Sequence, residues 1–290
     1  MPPAHVEVHR PDSLSEALEI RAAHPDALPM AGGTDLMVDL NFDRARPPAV
    51  LDVTRIPELR EWAPENGRVR VGAGVTYTRI MAELGDRLPG LAVASRTVGS
   101  LQIRNRGTVG GNLATASPAG DGLPPLYTAD AVVELASTRG TRSLPVAELI
   151  TGPKRTALGT DELIVAFTLP TAAGPQEFAK VGTRNAMVIS VCAVSLALWP
   201  EERRVATCIG SAGPTPIAAS GADAFIAAEL DWDGLVAPSD AALARFGALA
   251  GRAARPIDDV RGTADYRRHA VGVLARRTLT WAWGRMPAWS

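Results

Sequence analysis

Cysteine is scarce in this 290-residue chain: it has two, Cys192 and Cys208, both inside apolar, strand-like stretches. A free thiol in such surroundings behaves as a small hydrophobe, and two cysteines cannot supply the four ligands that an iron–sulfur cluster ordinarily takes. Histidine is almost as sparse, and His5, His9, His24 and His269 show no His-x-x-x-His spacing, so no metal site is expected. No apolar run approaches the roughly 18 residues that cross a bilayer. The stretch from Met1 to Glu7 also lacks the charged and apolar regions of a signal peptide, so a cytoplasmic protein with no integral membrane segment is expected. Net charge is as small as −1, with a pI near 6.4, which provides no long-range field to draw nucleic acid, and none is expected as a partner. Gly-x-x-x-x-Gly-Lys-Ser/Thr is missing, as is a Gly-x-Gly-x-x-Gly opening a βαβ unit, which argues against a P-loop ATPase or a Rossmann dehydrogenase. Ser, His and Asp are scattered without a nucleophile elbow, and no catalytic residue is assigned.

What the chain does have is ample apolar content, 46% of its residues, enough for two or three cored domains. It also has two glycine-rich bends. The first is Ala31-Gly32-Gly33-Thr34-Asp35-Leu36. The second follows the basic pair Arg104 and Arg106 and reads Thr108-Val109-Gly110-Gly111-Asn112, continuing to Asp121. Stripped of side chains, such segments let backbone N–H groups approach an anion, and glycine reaches the φ > 0 conformations that aim successive N–H groups one way. Either bend alone is ordinary turn chemistry. Together they suggest a two-phosphate ligand held from both sides, with a helix beginning at Leu36 that turns its first amides toward the glycines.

Along the chain, Ser13 and Glu16 form a capping-box pattern before a helix that carries Leu14, Ala17 and Leu18. Strands are expected from His5 to Val8, at Met30 and from Ala49 to Val53. A hairpin turns at Asn66-Gly67, with arms over 59–62 and 69–73. A helix follows from Thr76 to about Gly85, then an apolar stretch over 91–98, a short helix from Gly122, and strands over 130–136 and 162–169. Thr171 to Pro175 has the composition of a linker. Beyond it come strands over 177–181, 187–198 and 203–209, then helices over 217–230, 239–252 and 263–286. The last part is thus a small sheet covered by helices. Asp121 is either a helix N-cap or an acceptor for ribose hydroxyls. Lys180 and Arg184 lie either on a solvated strand edge or against phosphate. Trp281, Trp283 and Trp289 read as core or interface anchors.

Both glycine bends, Asp121 and the Lys180–Arg184 strand resemble the FAD-binding medium subunit of the molybdenum hydroxylases, the xanthine dehydrogenase and carbon monoxide dehydrogenase family. Gly152-Pro153-Lys154-Arg155-Thr156 leading to Asp161–Ile164 adds to the likeness, as do Ala212–Pro216, Asp265–His269 and Arg276-Arg277. These matches run through nearly the whole chain in the family's order. The resemblance implies an α+β fold: two FAD-binding subdomains of the vanillyl-alcohol-oxidase-like (PCMH-type) class, residues 1–56 and 57–170, and a C-terminal domain of a three-stranded sheet with helices, residues 176–290. It implies that Ala31, Gly32, Gly33, Thr34, Asp35, Leu36, Thr108, Gly110, Gly111 and Asn112 cradle the pyrophosphate of a non-covalent FAD. Asp121 would then meet the adenosine ribose, Ile164 the flavin ring, and Lys180 would lie near the flavin.

By the same resemblance, [2Fe–2S] clusters and molybdopterin reside on a small and a large partner subunit, in a dimer of heterotrimers. Electrons would come from the clusters and leave to an external acceptor. The cysteine-rich insert of the hydroxybenzoyl-CoA reductase branch is missing here, as are the other redox centres of the fused eukaryotic enzymes. Two further readings are a free-standing flavin oxidase of the same fold and an assembly subunit without FAD. The first wants its own base and often a His or Cys tether near the bends, where none is found. The intact Gly-Gly pairs speak against the second. A valine at Gly33 or Gly110 is expected to leave a folded chain poor in flavin.

Overall fold

The computed structural model describes residues 6–289, so the expected strand residue His5 lies outside the described residues. The first unit is β1 (Glu7–His9), α1 (Leu14–Ala23), β2 (Leu28–Met30), α2 (Leu36–Asn41) and β3 (Ala49–Asp52), with three parallel strands in the order β1-β3-β2. The first bond of the capping pattern forms as its spacing dictates, while the returning carboxylate takes the amide one residue before the cap. The Glu16 amide donates to Ser13 Oγ at 3.2 Å, and the Glu16 carboxylate reaches back to the amide of Asp12 at 3.0 Å. Ala17 and Ala27 are fully buried beside Leu51 and Val53, so this sheet packs through small residues against α1.

The second unit holds β4 (Trp62–Glu65), β5 (Arg68–Gly72), α3 (Tyr77–Glu83), α4 (Pro89–Thr97), α5 (Leu101–Arg106), α6 (Val109–Thr115), α7 (Leu123–Thr128), β6 (Val132–Ser137), β7 (Gly140–Pro145), α8 (Val146–Leu149), β8 (Ile150–Gly152), β9 (Arg155–Thr156) and β10 (Leu163–Pro170). Asn66 and Gly67, at φ 49° and 75°, make the tight turn that the Asn-Gly pair signals. The main sheet is antiparallel, β4-β5-β10-β6-β7, and its core is formed by Val69, Val71, Val133, Leu135 and Phe167 under α3, α4, α6 and α7. β7 has no counterpart in the sequence reading. It is an exposed edge strand, Gly-Thr-Arg-Ser-Leu-Pro, with no apolar alternation to betray it. The apolar stretch over 91–98 is the helix α4, and the second glycine bend is no loop, because Gly110 and Gly111 sit in the first turn of α6.

The third unit is β11 (Gln176–Val181), β12 (Cys192–Trp199), β13 (Arg204–Gly210), β14 (Ile217–Ala218), α9 (Ser220–Glu229), α10 (Asp240–Ala253) and α11 (Ala264–Gly284). The three expected strands lie side by side, and a two-residue fourth joins them: Ile217 and Ala218 open no helix but pair with Ile209 and Cys208. The strand expected from Met187 starts at Cys192 instead. Residues 182–190 leave the ladder, held by Lys180 Nζ donating to the Val188 carbonyl at 3.1 Å and by the Arg184 guanidinium donating to the Met187 carbonyl. α10 and α11 cross where glycine backbones meet, since a Cβ on Gly247 would lie 2.5 Å from the Gly272 carbonyl oxygen. The third unit docks on the second through Ser195 and Thr128, whose hydroxyls are 3.1 Å apart. The Gly90 amide donates to Gln176 Oε1 at 3.1 Å, and the Trp199 indole donates to the Thr128 carbonyl.

Where β14 stops, Asp223 of α9 replaces the missing strand by accepting the Thr207 amide at 3.0 Å. Burial is the main force pushing its carboxyl up, to about 7. The folded protein therefore holds a proton that the unfolded chain releases near pH 4, and the stability tied to that proton is complete below pH 4 and lost as pH rises toward 7. Asp223→Asn keeps the acceptor and removes the titration. Chemical denaturation from pH 4 to 8 should show the wild type losing on the order of 1.4 kcal/mol per pH unit across the window, while the variant stays flat by comparison.

Candidate cofactor-binding site

A cleft of about 610 Å³ runs between the first unit, the short helices of the second and the 187–189 segment of the third. β2 delivers the chain to Ala31, and Gly33 turns it with φ 73°, a conformation that side chains with a Cβ resist. Gly32 has a different task. A Cβ there would lie 2.1 Å from the Arg106 carbonyl oxygen and 2.9 Å from Gly107 Cα, so the two bends press main chain against main chain. Across the same seam Thr115 Oγ1 donates to Asp35 Oδ2 at 3.1 Å. The amides of Gly32, Gly33, Thr34 and Asp35 have no backbone partner among the described residues and border the cleft.

On the opposite side, Thr108 caps α6 by accepting the Gly111 amide at 2.9 Å. Thr108, Gly111 and Asn112 line the cleft, whereas Gly110 does not. A Cβ on Gly110 would lie 2.5 Å from both the Cβ and the carbonyl oxygen of Ala73, so this glycine lets α6 settle on the chain after β5. The helical φ of Gly110 and Gly111 also removes the positive-φ argument for that bend, which Gly33 alone fulfils in the two motifs. With six residues in α2 and seven in α6, local amides rather than long helix dipoles face the cleft. Asn112 Oδ1 is buried without a hydrogen-bond partner.

Asp121 borders the cleft but caps no helix. α7 starts from Gly122 without a side-chain cap. Instead, Lys180 Nζ donates to Asp121 Oδ2 at 2.6 Å and to the Thr97 carbonyl at 2.9 Å, Thr97 Oγ1 donates at 3.4 Å, and the Ser190 hydroxyl donates to Oδ1. Burial pushes the Asp121 carboxyl up, and Lys180 opposes that by stabilising the charged form. Asp121 and Lys180, read separately in the sequence, are thus one buried pair between the second and third units, with side chains 9% and 11% exposed. Lys180 stands behind Asp121 rather than on the cleft wall, and Arg184 turns to the Met187 carbonyl. Ile164 is not on the wall either. It is 8% exposed in the second unit's core, paired with Leu135 just before a bulge in β10.

The wall includes residues the sequence reading did not single out: Arg21, Tyr77 and Met187–Ile189. Arg21, 8% exposed, donates to the Pro25 and Ala27 carbonyls at 3.0 and 2.6 Å. The Tyr77 ring is buried, and its phenol is pushed well above its ordinary value by burial, then by the Asp121 and Asp35 carboxylates, so it keeps its proton. No motif points to these side chains. They come to the cleft from α1, from the first residue of α3 and from the irregular 182–190 segment.

Residues 4–172 match the FAD-binding domain in molybdopterin dehydrogenase. The chain belongs to that family. Residues 178–282 match the CO dehydrogenase flavoprotein C-terminal domain. The chain is 31% identical over 285 residues to the putative xanthine dehydrogenase FAD-binding subunit of Escherichia coli K12, with 94% of each covered. It is 35% identical over 210 residues to the nicotinate dehydrogenase FAD-subunit of Eubacterium barkeri, covering 69% of this chain and 71% of that one. Among solved structures, carbon monoxide dehydrogenase from Hydrogenophaga pseudoflava superposes with a TM-score of 0.88 at 26% identity, over 99% of this chain and 100% of that one. The chain is an FAD-binding medium subunit of the molybdenum hydroxylase type, an oxidoreductase component. The residues present suit that cofactor. Unbonded amides await an anion, a buried amide oxygen awaits a donor, and glycine keeps the floor of the cleft low. Among the described residues there is no helix long and apolar enough to cross a membrane, and no group of three His, Cys, Asp or Glu side chains that could hold a metal ion.

Two substitutions separate the roles of these groups. Gly110→Val should fail to fold or melt far below wild type in a thermal scan, because its side chain meets Ala73 backbone, while Gly111→Ala should stay close to wild type. Lys180→Met strands a buried carboxylate and should lower stability by about 3–5 kcal/mol in urea denaturation. Adding Asp121→Asn to it should recover a large part of that loss.

Proposed function

We propose that this chain carries FAD within a multi-subunit molybdenum hydroxylase, receives electrons from [2Fe–2S] clusters on a small partner, and passes them to an external acceptor. Oxidation of the substrate would occur at molybdopterin on a large partner, and two such trimers would pair. The observation that carries this reading is the cleft itself, whose open amides at Gly32–Asp35 face a recess wide enough for a nucleotide while the chain's two cysteines lie buried in the third unit. A cofactor site without a cluster site fits a relay component better than a complete enzyme. When bound, FAD can accept electrons singly and release them as a pair.

In this reading Ala31–Leu36 hold the pyrophosphate mostly through main-chain donors, and Thr108, Gly111 and Asn112 close on it from the opposite wall. Gly110 serves the site by seating α6, and Ile164 by packing beneath it. Asp121, fixed by Lys180 and Ser190, presents a carboxylate edge to the cofactor's sugar region. The neutral overall charge is then no obstacle, because local N–H groups meet the anion. We divide the chain into 1–56, 57–170 and 176–290 with Thr171–Pro175 as the joint, a reading supported by the three larger of the four sheets among the described residues. Neither His nor Cys lines the cleft among the described residues, which favours this over a free-standing oxidase with a tethered flavin.

The deciding experiment is affinity purification from the native host with analysis of flavin, iron, molybdenum and bound chains. Stoichiometric flavin, together with iron and molybdenum contributed by two co-purifying subunits, is expected. A solitary chain that oxidises an organic substrate unaided refutes the relay. Gly33→Val forces a β-branched residue to φ 73°, at a cost of about 1–2 kcal/mol. It should melt near wild type yet show a much reduced flavin absorbance per protein.

A further inference from the structure

The outer face of α11 lies apart from the cofactor cleft, and no residue of this helix lines that cleft. From Tyr266 to Gly284 the helix carries four arginines and His269 but no Asp or Glu, in a chain whose net charge is −1. Arg267 is buried and holds the Ser211 carbonyl and Asp259, and Arg268 pairs with Asp265 at 3.0 Å. Arg276 and Arg277 are exposed, and their guanidinium groups have no hydrogen bond or ion pair among the described residues. Elsewhere surface arginines find acids close by, as Arg79 does in Glu83 and Arg203 in Asp233, both at 2.7 Å. A solvated helix gains from opposite charges four residues apart and loses from like ones, so α11 gains nothing in water from this pattern. Tyr266 and Trp281, 49% and 47% exposed, share one side of the helix with Arg277, which lies three turns beyond the first and one turn before the second. Beside them a shallow cavity of about 320 Å³ opens between α10 and α11. Arg252, Arg268, His269 and Arg276 wall it, and no carboxylate is in its lining.

We infer that this face docks an acidic surface of another subunit, with an acidic segment of that subunit entering the cavity between α10 and α11. Charge complementarity sets the sign of the partner, since Arg276, Arg277 and Arg252 all lack carboxylates of their own. Exposed Tyr and Trp beside arginine make the composition that concentrates binding energy in protein interfaces. A compact phosphate fits less well. The cavity floor is the middle of two helices, where Gly247 and Gly272 meet and the amides are bonded within their own helices, so it offers none of the free main-chain donors found at Gly32–Asp35. Nucleic acid is drawn by a broad positive field, which a chain of net charge −1 does not provide. A flat membrane surface would leave the cavity empty. The partner is a subunit of the complex proposed above, so the inference rests on that reading.

Arg276→Glu combined with Arg277→Glu reverses two charges that have no partner inside the protein. The variant chain by itself should melt within about 2 °C of wild type. Purified from the native host, it should lose a subunit that wild type retains, with the dissociation constant for that subunit raised on the order of a hundredfold by like charges meeting across the interface. Arg277→Lys keeps the charge and supplies an amine for zero-length carbodiimide coupling. In the purified complex it should become joined to an Asp or Glu of the same subunit. Retention of every subunit at wild-type affinity by the reversed variant overturns the inference, as does coupling at position 277 to no subunit or only to a second copy of this chain. Binding of the isolated wild-type chain to RNA or to phosphatidylserine vesicles, abolished by the double reversal, also overturns it. If wild type itself brings down no other subunit, the relay reading fails and takes this inference with it, whereas a reversed variant that keeps its partners refutes this inference alone.

Discussion

Main chain touching main chain at Gly32 and Arg106–Gly107 is the constraint on which the site depends. These segments are more than seventy positions apart in sequence, one after β2 and the other at the end of α5, yet a single methyl group between them would overlap a carbonyl oxygen. Contact of this kind is possible only where the side chain is hydrogen, and it sets the spacing of everything above it: the unbonded amides after Gly32, the Thr115 to Asp35 bond, and the reach of α6 across the cleft. The same device recurs at Gly110 against Ala73 and at Gly247 against Gly272. Glycine here serves close packing as often as it serves a turn, and Gly33 is the one member of the two motifs whose φ demands it.

A second dependency is electrostatic. Asp121 sits in a recess where an isolated carboxylate would be costly, and it is kept by donors from three directions: Lys180 on β11, Ser190 before β12, and Thr97 at the end of α4. A buried pair of this type adds little net stability compared with well-packed apolar residues, and its strength lies in permitting one arrangement of the units. The same lysine pins the Val188 carbonyl, so the segment carrying Met187 and Ile189 is positioned by the group that neutralises Asp121. Wall shape and wall charge are therefore set by one side chain.

Much of the architecture was legible in the sequence because local chemistry agreed with it. Ser13 and Glu16 announced α1, Asn66-Gly67 announced the hairpin, and apolar residues on both faces of the run before Trp199 marked a buried strand. The elements that escaped notice are those where periodicity carries no information. β7 has Leu144 as its one inward apolar side chain, β14 is two residues long, and α4 shows an apolar stretch too short to separate helix from strand. In the site, the glycine motifs were visible as composition, but their division of labour was not, since nothing in Gly-Gly says which neighbour presses on it. Asp121 and Lys180 could each be flagged, while their pairing depends on two sheets meeting and has no trace in local spacing. Tyr77 and Arg21 carry no motif at all, and only tertiary placement brings them to the wall.

The origin of the donors to Asp121 has a consequence for how the protein is made. Synthesis delivers Ala31 through Pro170 before the strands of the third unit, so Asp121 is made before two of its three donors. Lys180 emerges ten residues after Pro170, and Ser190 ten after that. Both the donors and the 187–189 part of the wall come from the third unit, so completion of the pocket is tied to the last unit made rather than to the motifs that first draw the eye.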